Sequence, residues 1–222
     1  MFRRFVFMVT ALAMIWPLAA RADSKKALTE RLENARTAYL EVRDTKEVPD
    51  KIVKEARCIA VFPGVVKAAL GVGGRHGKGV MSCRDASGHW GPPMFMEMSG
   101  GSLGFQIGVE KADVVLFFMT DKSVQSILDS KFTLGAQAGV AAGPVGRTAE
   151  ASTDVKLDAE IYSYARSKGA FAGLSLEGAK IVPDKSDNRD FYGKNASPKA
   201  ILVDHKVPGT IPAEADTWMQ TL

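Results

Sequence analysis

The chain has 222 residues, of which 46% are hydrophobic and 24% are charged. This composition excludes an intrinsically disordered chain, and the length fits one domain with its own hydrophobic core. The formal net charge of +4 is too small to indicate a nucleic-acid partner by itself.

Residues 1–22 have the pattern of an export signal. A basic start is followed by an apolar run from Phe5 to Trp16 and by the small-x-small sequence Ala20-Arg21-Ala22. We therefore expect a signal peptide cleaved after Ala22 and a mature domain at 23–222, although an uncleaved N-terminal anchor is an alternative. The leader carries three arginines and no acid, so cleavage lowers the net charge to +1. The expected location is the periplasm or cell envelope.

Two helices are predicted at the start of the mature chain. Apolar residues at steps of three and four indicate an amphipathic helix over 24–43. Pro49 suits the first turn of a second helix, which ends near Ala56.

From Arg57 the pattern changes to short apolar runs separated by glycine, which is typical of strands. Helices are predicted at 123–129, 188–192 and 213–222. Few helices separate consecutive strands, which favours an α+β fold with a mostly antiparallel, curled or barrel-like sheet and flanking N-terminal and C-terminal helices. The predicted strands are 58–62, 65–72, 79–84, 89–98, 101–109, 113–119, 132–142, 155–166 and 170–182.

The two cysteines, Cys58 and Cys83, each lie in a predicted strand. An exported protein enters an oxidising compartment, so we expect a structural disulfide between them rather than free thiols. Two cysteines without a suitably spaced histidine do not make a metal site.

Positive charge is concentrated between Lys51 and Arg84. This window contains seven cations and one acid, Glu55, and therefore carries +6. Such a window predicts either an anion-binding patch or cations scattered over several faces. Its glycine-rich part, 71–79, lacks the residues of a phosphate loop and is predicted to be a tight hairpin.

The sequence Leu-Gly-x-Gln-x-Gly-Val occurs at 103–109 and again at 134–140. Strand alternation places the glycines of each copy on one face and the apolar residues on the other. We expect Leu103, Phe105, Ile107 and Val109 in the main core. The Gly104 and Gly108 face should be closely covered by a helix, a sheet or a ligand, with internal packing the simplest case.

Motifs for catalysis are weak. Ser102 lies in a G-x-S-x-G match, but a strand follows it where a nucleophile elbow needs a helix. The three histidines are isolated, which gives metal catalysis no support. We expect no enzyme activity, no cofactor and no metal site.

The mature chain from about Ala27 to Leu222 resembles the SYLF family, also called the yeast-type actin-binding or actin-regulator domain. The likeness is carried by ordered blocks along nearly the whole chain. These blocks are Ile59-Ala-Val-Phe-Pro63, Gly74-Arg-His-Gly-Lys-Gly79-Val, Trp90-Gly-Pro-Pro93, Gly100-Gly-Ser-Leu-Gly-Phe-Gln-Ile-Gly108, Asp113-Val-Val115, Thr133-Leu-Gly-Ala-Gln137, Ala141-Ala-Gly-Pro-Val-Gly-Arg147, Ile161-Tyr-Ser-Tyr-Ala-Arg-Ser-Lys-Gly169, Phe171-Ala-Gly-Leu-Ser-Leu-Glu-Gly178 and Phe191-Tyr-Gly193.

The resemblance implies a non-catalytic lipid-binding module, because eukaryotic relatives bind phosphoinositide membranes and some bind actin filaments. Together with the export signal, it predicts an exported bacterial member that associates with anionic phospholipid headgroups or a membrane surface. An envelope structural protein with protein partners is the alternative, and nucleic acid is not expected. The candidate lipid-binding residues are Lys67, Arg75, Lys78 and Arg84.

Overall fold

The computed structural model describes residues 6–45, 48–128, 132–136, 138–144, 158–167, 170–171 and 176–222; its side chains are described from Ser24 onward, except at 69–72, 102–107 and 170–171. The helices in these ranges are α1 Val6–Asp44, α2 Asp50–Glu55, α3 Asp121–Leu128, α4 Lys185–Tyr192, α5 Pro198–Leu202 and α6 Ala213–Thr221. The strands are β1 Cys58–Cys83, β2 Met94–Phe118, β3 Val140–Ala142, β4 Ile161–Ser167, β5 Ala170–Phe171 and β6 Lys180–Pro183.

Helix α1 has the amphipathic face that its sequence predicts. The apolar residues at steps of three and four are buried, and charged residues between them are exposed. The helix begins at Val6 and continues through the predicted cleavage site after Ala22, and cleavage there stays a prediction. Among the described helices, none combines the length and apolar character needed to cross a membrane. The buried residues are Leu28, Leu32, Ala35, Ala38, Tyr39 and Val42.

The sheet is mixed but mostly antiparallel, as predicted. Its strand order is β1-β2-β4-β3, with β5 paired to β4 and β6 paired to β2. Only the β3–β4 pair of the described strands is parallel. The α+β fold with a curled sheet and helices from both ends of the chain is therefore confirmed.

Strands β1 and β2 form one long antiparallel ribbon, which replaces the shorter strands predicted from the glycine spacing. The 71–79 segment lies inside β1, where Gly71 pairs with Gly104 and Lys78 pairs with Glu97. The prediction of a hairpin at 71–79 is therefore wrong. The turn of the ribbon lies at 84–93, between the two strands.

The ribbon folds back on itself. Residues twelve apart in a straight strand are separated by about 40 Å. In this chain a Cβ built on Gly77 would lie 2.7 Å from Cγ2 of Val65, and one built on Gly79 would lie 2.6 Å from Cδ1 of Phe62. At the bend the pairing shifts between Leu70 and Gly71, where their β2 partners are Ile107 and Gly104. Two extra residues of β2 are thus accommodated at the bend, as in a β-bulge.

The alternating faces of the ribbon contribute to two hydrophobic clusters. The first core contains Cys58, Ala60 and Phe62 and includes residues from α3, α5 and β6. The second core contains Ile59 and Val61 and includes the buried face of α1 and Trp218 of α6. The backbone of β1 therefore lies between the two cores.

The predicted disulfide is present between Cys58 and Cys83, whose Cα atoms are 4.0 Å apart. These are the first and last residues of β1, and both are buried in the first core. The backbone N–H of Arg84 also donates to the carbonyl of Arg57 at 2.8 Å. The two ends of β1 are thus joined both covalently and by a hydrogen bond.

The prediction of a covered glycine face is wrong at the positions that can be tested. Gly108 is exposed with open space where a Cβ would lie, and Val109 is 77% exposed instead of being in the core. Leu103, Gly104, Phe105 and Ile107 lie outside the residues whose side chains are described, so the expectation for them stays a prediction. The second copy does not form a continuous strand, because Gly135 adopts a left-handed φ of 84° in a turn.

Candidate functional site

Lys78, one of the four predicted lipid-binding residues, belongs to an ion-pair network inside the fold. Its Nζ donates to the carboxylates of Asp184 at 2.9 Å and Asp187 at 3.0 Å. Arg31 of α1 donates to the same Asp187 carboxylate at 2.6 Å. The network links β1 to α1 and to the start of α4, so Lys78 has a structural role.

The charges of this network are stabilised by hydrogen bonds. Burial alone would raise the pKa of Asp184, but bonds from Ser186, Lys78 and the backbone of Asp187 outweigh it and hold the pKa well below its ordinary value. Burial alone would lower the pKa of Lys78, but its bonds to the two aspartates raise it above the ordinary value. Both groups are therefore charged at neutral pH.

Arg84 closes the end of helix α2. Its guanidinium donates to the carbonyls of Lys54 at 2.5 Å and Val53 at 3.3 Å, which are in the last turn of α2. It also lies 4.4 Å from the centre of the Trp90 ring. A cation at this position satisfies carbonyl groups that a helix end leaves free and interacts favourably with the helix dipole.

Arg75 and Lys67 differ from each other in exposure. Arg75 is only 7% exposed, and burial lowers the pKa of its guanidinium. Lys67 is partly exposed and pairs in register with Glu110. The structure therefore does not bring Lys67, Arg75, Lys78 and Arg84 together on one exposed patch. Their role in lipid binding stays a prediction: Arg75 is buried, whereas Lys67, Lys78 and Arg84 are each partly exposed.

Exposed positive charge is found instead in the segment 180–206, named here the basic segment. Its six cations are exposed, and none forms an ion pair within the described part of the chain. Two of its acids, Asp184 and Asp187, are engaged in the network with Lys78 and Arg31. Cations thus face the solvent while these two acids face the fold. The six are Lys180, Lys185, Arg189, Lys194, Lys199 and Lys206.

Asn188 fixes the basic segment to the sheet. Its Oδ1 accepts from the backbone N–H of Phe95 at 2.9 Å, and its Nδ2 donates to the carbonyl of Phe95 at 2.8 Å. The buried side chain therefore bonds to β2 as another strand would. The carboxylate of Asp184 caps α4 by accepting from the backbone N–H of Asp187. Asn188 marks the buried face of α4. Lys185 and Arg189 are one helical turn apart and both are exposed, so they share an exposed face.

The basic segment gives no clear signal in the sequence because its formal charge is modest. The segment has six cations and four acids, which gives only +2. The large outward charge results from the internal pairing of Asp184 and Asp187 with cations from α1 and β1. The alternation of acids and bases around a capped helix gives no direct signal of that pairing.

A groove of about 470 Å³ lies between α1 and the ribbon. It has three cations and three acids on its walls, so its charge is balanced and does not select an anion. One acid, Asp113, is already bonded to the backbone N–H of Gly64 at 2.7 Å. The charged residues are Glu30, Arg31, Glu41, Lys78, Lys111 and Asp113.

The described residues do not supply a recognisable catalytic centre. Ser102 lies within β2, paired with Gly73, and not at a turn from a strand to a helix. No group of three His, Cys, Asp or Glu side chains in the described ranges is placed to hold a metal ion. What the described geometry offers instead is the basic segment and the groove beside α1.

Comparison with known proteins shows the family to which the chain belongs. The family model for Ysc84, described as a Las17-binding protein actin regulator, matches residues 99–222. The chain therefore belongs to the Ysc84 family, whose domain is the SYLF domain inferred from the sequence blocks.

Several curated proteins are similar over most of the chain. LAS seventeen-binding protein 3 of Saccharomyces cerevisiae is 37% identical over 158 residues, which cover 70% of this chain and 34% of that protein. SH3 domain-containing YSC84-like protein 1 of Xenopus laevis is 33% identical over 180 residues, which cover 81% of this chain and 53% of that protein. The human protein of the same name is 34% identical over 148 residues, covering 66% and 43%. The chain thus spans about a third to a half of these relatives.

Proposed function

We propose that this chain is a non-catalytic binding module for anionic phospholipid membranes, phosphoinositides included, and that it acts in the cell envelope after export. The observation that carries the proposal is the basic segment, in which six exposed cations project from one continuous stretch anchored to the sheet. The domain family supports a binding role, since the family description refers to regulation and to protein binding, and the name of the yeast relative refers to protein binding.

The strength of such binding follows from its electrostatics. Each basic residue near an anionic bilayer contributes about 1 kcal/mol and acts only within a Debye length of the surface. Four of the six cations in contact would give about 4 kcal/mol, which corresponds to a dissociation constant of about 1 mM. The proposal therefore requires binding that is reversible and strongly dependent on salt.

Vesicle co-sedimentation tests the proposal. The protein is mixed with vesicles of phosphatidylcholine alone or of phosphatidylcholine with phosphatidylglycerol, each at low and high salt. We expect binding to the anionic vesicles only, with loss at high salt. The Lys185→Glu/Arg189→Glu variant should bind at least roughly 30-fold more weakly, because two attractive contributions are removed and two repulsive ones are added.

A matched control distinguishes an effect of the charges in the basic segment from an effect of the net charge of the protein. The Lys51→Glu/Lys54→Glu variant makes the same change in net charge on exposed positions of α2 and should bind nearly as well as the wild type. Equal losses in the two variants would show that the basic segment is not the site. Equal binding to neutral vesicles, or no binding to either kind, would contradict the proposed function.

A protein partner is the second candidate function. The family description names Las17 as the binding partner, so a protein surface is a reasonable ligand class for this domain. Salt-independent binding to a protein from the same compartment, without binding to anionic vesicles, would favour this candidate.

A further inference from the structure

The bend of the ribbon exposes an apolar face. Val66 pairs with Lys111, and Ala68 pairs with Val109. Directly opposed residues of antiparallel strands lie on the same face, and so do residues two apart along a strand. All four side chains are exposed. We name this set, Val66, Ala68, Val109 and Lys111, the ribbon face.

The exposure of this face is unusual for its residue types. Val109 is 77% exposed and Val66 is 41% exposed, and they are two of the four large hydrophobic residues exposed in the described chain. The other two, Val203 and Ile211, lie elsewhere near the C-terminus. Val is among the residues most often buried, so two exposed valines on one small face call for an explanation.

Backbone pairing also leaves this part of the ribbon at an edge. On the side of β2 away from β1, the described partners are β6 at 96–99 and β4 at 113–118. No described strand pairs with 100–112 on that side. At the bend, β2 is therefore paired with β1 on one side and with no described strand on the other.

The charge pattern of the ribbon face indicates what it contacts. Of its four residues one is a cation, Lys111, and none is an acid, while Glu110 lies on the opposite face with its register partner Lys67. Asp113, the next residue along this face, already accepts a hydrogen bond from the backbone N–H of Gly64. Apolar side chains beside a lysine suit a membrane interface, where the apolar groups enter the acyl boundary and the ammonium group stays at the headgroups.

We infer that the ribbon face is an apolar anchor, and that Val66 and Val109 enter the interfacial layer of an anionic bilayer. This inference rests on the proposed function and adds the apolar element that electrostatic attraction alone lacks. A few cations give weak binding, and stable membrane association needs a second contribution. Neither valine belongs to a core, so their insertion does not require either core to open.

Tryptophan fluorescence tests the anchor directly. The Val109→Trp variant places an indole at the more exposed of the two valines of the ribbon face. We expect its added emission to shift to shorter wavelength with anionic vesicles and to be quenched by lipids brominated on the acyl chain. Ile211→Trp is the matched control, because Ile211 is exposed but lies outside the ribbon, and its emission should not change.

A second variant measures the contribution to affinity. Val66→Glu/Val109→Glu should reduce binding to anionic vesicles by about tenfold or more, because it removes apolar burial and adds charge repulsion. Its thermal midpoint should remain that of the wild type, since neither side chain belongs to a core. A matching midpoint shows that any loss of binding is local.

The outcomes distinguish the anchor from the proposed function. If the wild type binds anionic vesicles but Val109→Trp shows neither shift nor quenching, the ribbon face is not the anchor and the proposed function stands. If the wild type binds no vesicles, both fail. An emission shift that depends on protein concentration without vesicles would show that a second copy covers this face, which would also overturn the anchor.

Discussion

Gly79 lies directly against the carbonyl oxygen of Val61, although the two residues belong to opposite halves of the same strand. A Cβ at position 79 would also approach Cα of Phe62 to 2.9 Å. The contact is made with backbone atoms, which cannot rotate away as a flexible side chain can. The absence of a side chain at Gly79 is therefore what allows the two halves of β1 to meet.

The first prediction is that Gly79→Ala destabilises the fold. Inserting a methyl group into a closely packed site costs about 1–3 kcal/mol, and we expect the upper part of this range because backbone must move. Urea denaturation followed by tryptophan fluorescence measures the change. Gly101→Ala is the control, since Gly101 is exposed in β2 with open space at the Cβ position. Equal stability of the two variants would contradict the close contact.

The second prediction is that the Cys58–Cys83 disulfide contributes to stability. Twenty-five residues of sequence separation correspond to about 3.5 kcal/mol in the chain-entropy model. Protein recovered from an oxidising compartment and alkylated without reduction should show the two cysteine peptides linked in mass spectrometry. Cys58→Ala/Cys83→Ala should unfold at lower urea concentration. Finding two alkylated thiols would refute the disulfide.

The third prediction concerns Lys78 and the acid stability of the fold. Because the pKa of Asp184 is held below its ordinary value in the folded protein, its contribution is present above the unfolded pKa of about 3.9 and is lost as the pH falls further. Lys78→Met removes one of the bonds that hold this pKa down. The free energy of unfolding should then fall less steeply between pH 5 and pH 2, roughly the window of this titration.

The same variant should be less stable at pH 7. Removing one partner of a buried ion pair costs about 3–5 kcal/mol, and we expect roughly 2 kcal/mol because Lys78 is partly exposed. Arg57→Met is the control, because the pair of Arg57 with Asp121 is mostly exposed and is worth about 1 kcal/mol at most. Urea titrations of both variants over the same pH range make the comparison. An unchanged acid slope in Lys78→Met would argue against the network.

Local patterns in the sequence predicted much of the fold. The apolar repeat from Leu28 to Val42 marks the buried face of α1, and Pro49 marks the start of α2, because both signals act within a few residues. The disulfide was predictable from the expectation of export and from the position of each cysteine in a predicted strand. The family blocks gave the domain class independently of any of these patterns.

The bend of the ribbon could not be predicted in the same way. Glycines in a predicted strand are compatible with a turn, a bulge or the close approach of another backbone segment. The glycines of 71–79 do not distinguish between these three cases. Only the pairing of Gly71 with Gly104 shows that the strand continues through them. The close approach occurs at Gly77 and Gly79, whereas Gly108 faces open space. Which glycine is covered depends on contacts between distant residues.

The candidate site was hidden for a related reason. Lys78 and Arg84 are indistinguishable by sequence from surface cations, but one pairs with Asp184 and the other with the end of α2. Counting charges in a window assigns them to the surface. The exposed cations of 180–206 were not apparent because acids in the same segment lower its formal charge. Two of these acids, Asp184 and Asp187, pair with cations inside the fold.

The position of β1 between two cores has a consequence for local opening. Phe62 belongs to one cluster and its neighbour Val61 to the other, so any fluctuation that lifts this segment exposes both clusters to water at once. Such an opening costs nearly as much as complete unfolding, and neither layer can melt while the other persists. The molecule should therefore behave as a single cooperative unit in hydrogen exchange, with its lowest protection confined to the ends of the chain and the bend of the ribbon.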